Sequence, residues 1–238
     1  MTGKDKKPMV IAHRGARDIA PENTIKACQL AIESGAEGLE LDIRPCGSGE
    51  LVLYHDAFLY NHFKDPRRVA NVQLDSLQKL EFNSKLYQHT SGINTMKELF
   101  EEFKYKVPIN LEAKVFLQNK KDFARKIIQL VEDFKMTDQI WISSFNPLFL
   151  KVFKSQTKKI RTGLLFRHLY YMFKAIDVVL KSDAWHPHFS LLTKGMINSA
   201  NKLNKEIHLW TIKKKSDIDH LPLEHVQGII TDIYGQKF

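Results

Sequence analysis

The stretch "GLELDIRPCGSGELVLYHD" (residues 38–56) decides the fold. Only "CGSGE" separates the strand-like "GLELDIRP" from the strand-like "LVLYHD". A parallel crossover needs about a dozen residues or more, so the two runs must be antiparallel. The spacing predicts a tight turn at Ser48-Gly49. A two-residue turn would pair Gly47 with Glu50 and set Asp42 directly opposite His55. Opposed side chains share a face, and the two-residue strand period adds Glu40 to it. Leu39, Leu41 and Ile43 then point the other way, toward helices. Acids and imidazoles are costly inside a sheet unless something pairs with them. Glu40, Asp42 and His55 therefore mark a polar mouth.

Outward from this hairpin the chain alternates strand-like and helix-like stretches. The strands read "MVIAHRG", "GLELDIRP", "INLEAK", "IWISSF", "TGLLF", "DAWHPH", "IHLWTI" and "GIITDI". Amphipathic stretches fall between them: "NTIKACQLAIESG", "TMKELFEEFKYK", "NKKDFARKIIQLVEDF", "LYYMFKAIDVVLKS", "LTKGMINSANKLN" and "SDIDHLPLEHV". Eight strands alternating with helices predict an α/β chain, a (β/α)8 TIM barrel with a β-hairpin after the second strand. An open doubly wound sheet is the structural alternative. No linker or composition shift divides the 238 residues, so a single domain over 1–238 is expected.

Lys and Arg total 36 against 27 acids, a formal charge of +9. That excess favours anionic partners: phosphate-bearing substrates, anionic membranes or nucleic acid. The basic residues are scattered without an aromatic-basic module, which argues against nucleic acid. Two cysteines, Cys28 and Cys46, sit in no metal-ligand spacing and suit a reducing compartment. The opening "MTGKDKKPMVIAHRG" is too charged for a signal peptide, and no apolar run reaches the ~20 residues of a membrane span. A soluble, cytoplasmic protein is the expectation.

Several strands end in polar residues: His13 and Arg14, Glu112 and Lys114, Ser143 and Ser144. Barrel enzymes build their sites at such carboxyl-terminal strand ends. Three carboxylates on one spot repel one another unless a cation sits among them, and oxygen ligands suit Mg²⁺ or Ca²⁺ rather than Zn²⁺. Glu40, Asp42 and Glu112 are the candidate metal ligands; the alternative is a buried salt bridge from Glu40 or Glu112 to Arg14 or Lys114. His13 and His55 are candidate acid and base, and Arg14 and Lys114 can neutralise a phosphate. A cation site, two permanent positive charges and two imidazoles together describe phosphoryl transfer.

The ordered set "HRGARDIAPENT", "ELDI", "LVLYHD", "LEAK", "ISSF", "LWTI" and "GIITD", running from about Val10 to Ile233, resembles the glycerophosphodiester phosphodiesterases. The resemblance implies a barrel that hydrolyses glycerophosphodiesters to sn-glycerol 3-phosphate and an alcohol with one divalent cation. It implies Glu40, Asp42 and Glu112 on the metal, His13 as base and His55 as acid, with Arg14 and Lys114 on the phosphate. It also implies Glu22 and Asn23 either beside the substrate or behind the residues that touch it, Trp210 against its glycerol or alcohol part, and a small capping insertion at about 57–92. The pattern departs from the family at Ser48-Gly49 in place of Asp-Gly, at "AFLYNHFKDPRRV" in place of an Arg-Thr-Thr segment, at "INTM" in place of Pro-Thr-Leu, and at Lys213 in place of Asn. These positions fall in the cap and rim and bear on head-group preference.

Two features invite other readings. His186 and His188 have alternate-residue spacing that could ligate a metal, although a strand end facing the mouth is the expected reading. "LLFRHLYYMFKAIDVVLK" carries an apolar stripe, Leu165, Leu169, Met172, Phe173, Ile176 and Val179, beside Arg167, Lys174 and Lys181. Packing on the barrel is the expected use, docking on an anionic membrane the alternative. For the whole chain, a lysophospholipase D-type activity on lysolipids and a non-catalytic phosphodiester-binding barrel are the competing functions.

Overall fold

The computed structural model describes residues 7–82, 92–115 and 119–235. Its strands are β1 (Met9–His13), β2 (Gly38–Pro45), β3 (Leu51–Leu53), β4 (Ile109–Ala113), β5 (Ile140–Ser144), β6 (Arg161–Phe166), β7 (Ala184–Pro187), β8 (Glu206–Ile212) and β9 (Gly228–Thr231). All but β3 are parallel, and they run β1-β2-β4-β5-β6-β7-β8-β9 and back to β1, a closed eight-stranded barrel. β3 pairs antiparallel with β2 outside the ring. The expected (β/α)8 barrel with its hairpin is the observed fold.

The helices are α1 (Ile25–Glu33), α2 (Tyr60–Phe63), α3 (Leu74–Gln78), α4 (Met96–Phe103), α5 (Lys120–Asp133), α6 (Pro147–Gln156), α7 (Tyr170–Leu180) and α8 (Lys194–Lys202). Side-chain caps start most of the barrel helices, because the first N–H groups of a helix lack partners. Thr24, Asn119, Asn146 and Thr193 cap α1, α5, α6 and α8, and Thr95 forms a capping box with Glu98 on α4. Outward-facing Leu39, Leu41 and Ile43 join Phe100, Phe123, Phe149 and Trp185 in the layer between strands and helices.

Three details differ from the sequence reading. The hairpin pairs Ile43 with Leu53 and Arg44 with Val52, one residue away from the register expected of a two-residue turn. Cys46 N–H donates to the Glu50 carbonyl at 2.9 Å, leaving a three-residue loop with Gly49 at φ +97°. Three-residue hairpins characteristically place glycine at this left-handed position. Asp42 therefore meets Tyr54, whose N–H donates to its carbonyl at 3.0 Å, and His55 lies one residue beyond. Helix α6 follows Asn146-Pro147, a turn-like pair that here supplies an N-cap and a first helical residue. The stretch "SDIDHLPLEHV" forms two short 3₁₀ turns, Lys215–Asp217 and Leu223–His225, and no α-helix; Pro222 removes a donor in its middle.

A second small core lies under the insertion after β3. Cys46, Val52, Tyr54, Leu59, Val69, Val72, Leu77 and Ile93 are buried together beneath α2 and α3. Of the expected insertion 57–92, residues 83–91 lie outside the described residues. The apolar stripe around α7 also divides. Leu165 is buried and Phe173 and Ile176 are half-buried, but Leu169, Met172 and Val179 are exposed. Asp177 takes the inward position, accepting from Trp185 Nε1 at 2.8 Å and Ser182 N–H at 2.9 Å, with Lys205 Nζ at 3.0 Å. Among the described residues no helix is long and apolar enough to cross a membrane.

Candidate active site

The first strand ends in a turn that only certain residues allow. Arg14 and Gly15 have φ of 60° and 77°, and Asn23 has φ of 59°. The Arg14 N–H donates to the Glu40 carbonyl at 2.7 Å and the Ala16 N–H to the Ala27 carbonyl at 2.8 Å. A Cβ on Gly15 would come within 2.7 Å of the Ala27 carbonyl carbon. Gly15→Ala is therefore expected to destabilise the fold by about 1–3 kcal/mol, read as a lower thermal midpoint. An unchanged midpoint would show that the turn can rearrange.

The turn aims Arg14 at Asp42. Arg14 Nε lies 3.0 Å from Asp42 Oδ2, and Arg14 Nη1 donates to Glu22 Oε1 at 2.9 Å. Asn23 grips Asp42 twice: its Nδ2 donates to Oδ2 at 2.8 Å, and its Oδ1 accepts from the Asp42 N–H at 2.9 Å. Glu22 is further flanked by Arg17 at 3.0 Å and His62 at 3.6 Å. Burial pushes the Glu22 carboxyl up, but His62, Arg14 and Arg17 more than offset it and hold it at about 2. Glu22 and Asn23 thus fix Arg14 and Asp42.

One face of β2 and one of β4 supply the acids. Asp42 is level with Glu112 in the parallel register, and Glu40 lies two residues earlier. All three are buried, each offering an oxygen within 4.8 Å of the others. Lys114 Nζ lies 3.0 Å from Asp42 Oδ1 and 2.5 Å from Glu112 Oε1. The carboxylate cluster and the buried ion pairs offered as alternatives are therefore both present. Burial favours the neutral acid, but Lys114, Arg14 and His55 hold the Asp42 carboxyl well below the usual carboxylate range. Burial, then Asp42 and Glu112, push Glu40 well above it, and burial raises Glu112 as well. Glu40 Oε2 is buried without a hydrogen-bond partner. An oxygen-only donor set with one orphaned carboxylate oxygen fits a hard divalent cation such as Mg²⁺ or Ca²⁺.

Each histidine is held by its own carboxylate. His13 Nδ1 meets Asp232 Oδ1 at 2.7 Å, and His55 Nδ1 meets Asp56 Oδ1 at 2.7 Å. Asn61 Nδ2 in turn donates to Asp56 Oδ2 at 2.6 Å. Although the register shift moves His55 off the ladder, Arg44 recovers its position by donating to the Tyr54 carbonyl at 3.1 Å and to the His55 carbonyl. His55 lines a 690 Å³ cavity at the mouth with Arg44, Glu112, Lys114, Ser144 and Phe145. Burial lowers both histidines from the ordinary value, with Asp232 and Asp56 opposing.

Trp210 stands at the rim, its Nε1 donating to the His186 carbonyl at 2.7 Å and its ring edge-on to Phe145 and His188. His186 and His188 do not converge: His186 is buried and stacked on His208 at 4.8 Å, while His188 meets Ser190 at the rim. Asp232, Asp56 and Arg44 are the positioning residues that sequence reasoning left unassigned. The His-Asp dipeptide was the available signal for Asp56.

Residues 13–235 match the sequence pattern of the glycerophosphoryl diester phosphodiesterase family. The chain belongs to that family. Among its relatives is a glycerophosphodiester phosphodiesterase of Caldanaerobacter subterraneus subsp. tengcongensis, 29% identical over 231 residues, covering 95% of this chain and 94% of that one. An Oleispira antarctica phosphodiesterase solved with the product sn-glycerol-3-phosphate superposes with a TM-score of 0.88 at 24% identity, covering 96% of this chain and 94% of that one. A Thermotoga maritima glycerophosphodiester phosphodiesterase superposes with a TM-score of 0.78 at 23% identity, covering 96% of each. These likenesses carry the barrel architecture, and the family pattern makes the chain a phosphodiesterase of this enzyme family.

Proposed function

We propose that the protein hydrolyses glycerophosphodiesters to sn-glycerol 3-phosphate and an alcohol. The observation that carries this reading is the joining, at one barrel mouth, of three buried carboxylates, two cations and two carboxylate-oriented histidines. Glu40, Asp42 and Glu112 would hold one divalent cation, Mg²⁺ or Ca²⁺. When bound, that cation supplies positive charge beside the non-bridging phosphate oxygens. Arg14 and Lys114 add fixed positive charge beside the same oxygens and offset charge growing on phosphorus.

His13 acts as base, taking the proton from the attacking oxygen as its bond to phosphorus forms. That oxygen is water's or the glycerol hydroxyl's; on the second route water then adds to the cyclic phosphate and breaks one ring phosphorus–oxygen bond to give sn-glycerol 3-phosphate. His55 acts as acid, giving a proton to the departing alkoxide as the phosphorus–oxygen bond to the alcohol breaks. Trp210 packs against the glycerol or alcohol part of the substrate, and the insertion at about 57–92 tunes head-group choice. We read residues 1–238 as one catalytic unit. A cytoplasmic setting is supported by Cys28 and Cys46, which are buried and unbridged.

The test is sn-glycerol 3-phosphate release from glycerophosphocholine, glycerophosphoethanolamine and glycerophosphoglycerol with Mg²⁺, with Ca²⁺ and with chelator. Turnover that is lost in chelator, restored by one of the ions and absent in Glu40→Gln is the expected result. Folded protein that turns over none of the three in either ion would sink the reading.

A further inference from the structure

Helix α7 presents an apolar side to solvent. Tyr171, Met172, Val178 and Val179 are 82%, 46%, 60% and 70% exposed, and Ala175 between them is exposed too. Positions 171, 172, 175, 178 and 179 fall on one side of a 3.6-residue helix. Leu169, 66% exposed, extends this side to the helix start. The inward position that an apolar residue would ordinarily take is filled by Asp177, anchored to Trp185, Ser182 and Lys205. Helix α7 is thus apolar on both sides: Tyr170, Phe173 and Leu180 pack toward the barrel around the anchored Asp177, and a second apolar side is left outside.

The rim of the mouth carries exposed apolar residues as well. α7 follows the carboxyl end of β6, and β5 is the neighbouring strand. The segment after β5 carries Phe145 and Leu148, 42% and 65% exposed, and Phe145 and Leu148 line the cavity shared with His55 and Lys114. Exposed apolar side chains gathered on one helix side, as on α7, mark an interaction site. Charge decides what covers it. Arg167 and His168 are exposed before the helix and Lys181 after it, while Asp177, the one acid between 167 and 181, is buried.

We infer that this side of α7, with the rim at Leu148, seats on an anionic lipid bilayer. An interfacial helix combines an apolar face with flanking basic residues in this way, and attraction to anionic lipid adds to the apolar burial. A second copy of the chain is disfavoured by the same charges. A two-fold contact through α7 sets each surface against itself, bringing basic flanks together on partners that each carry +9. The surface has no catalytic group on it, so its occupancy is measurable without turnover.

Co-sedimentation of the full chain with phosphatidylglycerol-containing vesicles and with pure phosphatidylcholine vesicles tests the inference. The wild-type chain is expected to bind the anionic vesicles and scarcely the neutral ones. Tyr171→Ser, Met172→Ser and Val179→Ser combined should lower the bound fraction about tenfold, with circular dichroism and hydrolysis of soluble glycerophosphocholine unchanged. Arg167→Glu with Lys181→Glu should lower it as well. No binding of wild type to anionic vesicles overturns the inference, as does binding that the apolar triple variant leaves intact. A wild-type dimer in solution that the triple variant abolishes, without vesicle binding, assigns the surface to a second copy and also overturns it.

Discussion

Replacing His13 with alanine is expected to lower kcat/KM for glycerophosphocholine by about 10²–10⁴-fold, the contribution typical of a positioned acid or base. Asp232 occupies His13 Nδ1 at 2.7 Å, which leaves Nε2 with the lone pair a base needs. Burial lowers the pKa of His13, Asp232 raises it, and Arg14 lowers it further, so the net shift is downward. A base works when neutral, and the acid limb of its pH profile therefore lies below the ordinary histidine value of 6.5. Asp232→Asn removes the raising influence, so that limb moves to still lower pH while the plateau drops. Asp56→Asn lowers His55 in the same way, but an acid works when protonated, and the alkaline limb is the one that moves down. If Asp232→Asn shifts the alkaline limb and Asp56→Asn the acid limb, the roles of the two histidines are exchanged.

Much of this site was legible because its parts obey local periodicities. Two-residue alternation alone groups Glu40 with Asp42 and Glu112 with Lys114, and the parallel register then brings Asp42 level with Glu112. Asp232 was not assigned, because its partner His13 lies 219 residues away and only closure of β9 onto β1 brings them together. The hairpin register was misjudged for a different reason. Ser48-Gly49 suits a two-residue turn and a three-residue loop equally, and the choice depends on the Cys46–Glu50 pairing. Arg44, which sits near the end of β2 and is half-buried, has carbonyls of residues 54 and 55 as its targets, and backbone acceptors leave no trace in sequence. The division of the α7 stripe has a similar origin. Asp177 faces inward because Trp185 and Lys205, from β7 and the approach to β8, meet it there.

Glu40→Gln and Asp42→Asn are expected to move stability in opposite directions, although each removes one negative charge from the same cluster. Asp42 is the partner of Arg14 and Lys114, each at 3.0 Å, and of Asn23 at 2.8 Å. Neutralising it leaves two buried cations short of an anion, and breaking such a pair costs about 3–5 kcal/mol. Glu40 has an oxygen without a partner, and burial together with Asp42 and Glu112 drives its carboxyl well above the usual range. With the folded pKa above the unfolded one, the native state binds more protons as pH rises from the ordinary carboxylate range, so stability falls over that interval. Glutamine removes this penalty, and in chelator at neutral pH E40Q should melt above the wild type while D42N melts below it. A cation that binds the native state raises Tm by mass action. Both variants should lose that rise, since each leaves two of three carboxylate ligands. Differential scanning fluorimetry in chelator, then in Mg²⁺ and Ca²⁺, separates the two effects. If E40Q falls as far as D42N in chelator, Glu40 is held by protein partners as Asp42 is, and the cluster is a closed ion-pair network rather than a cation site.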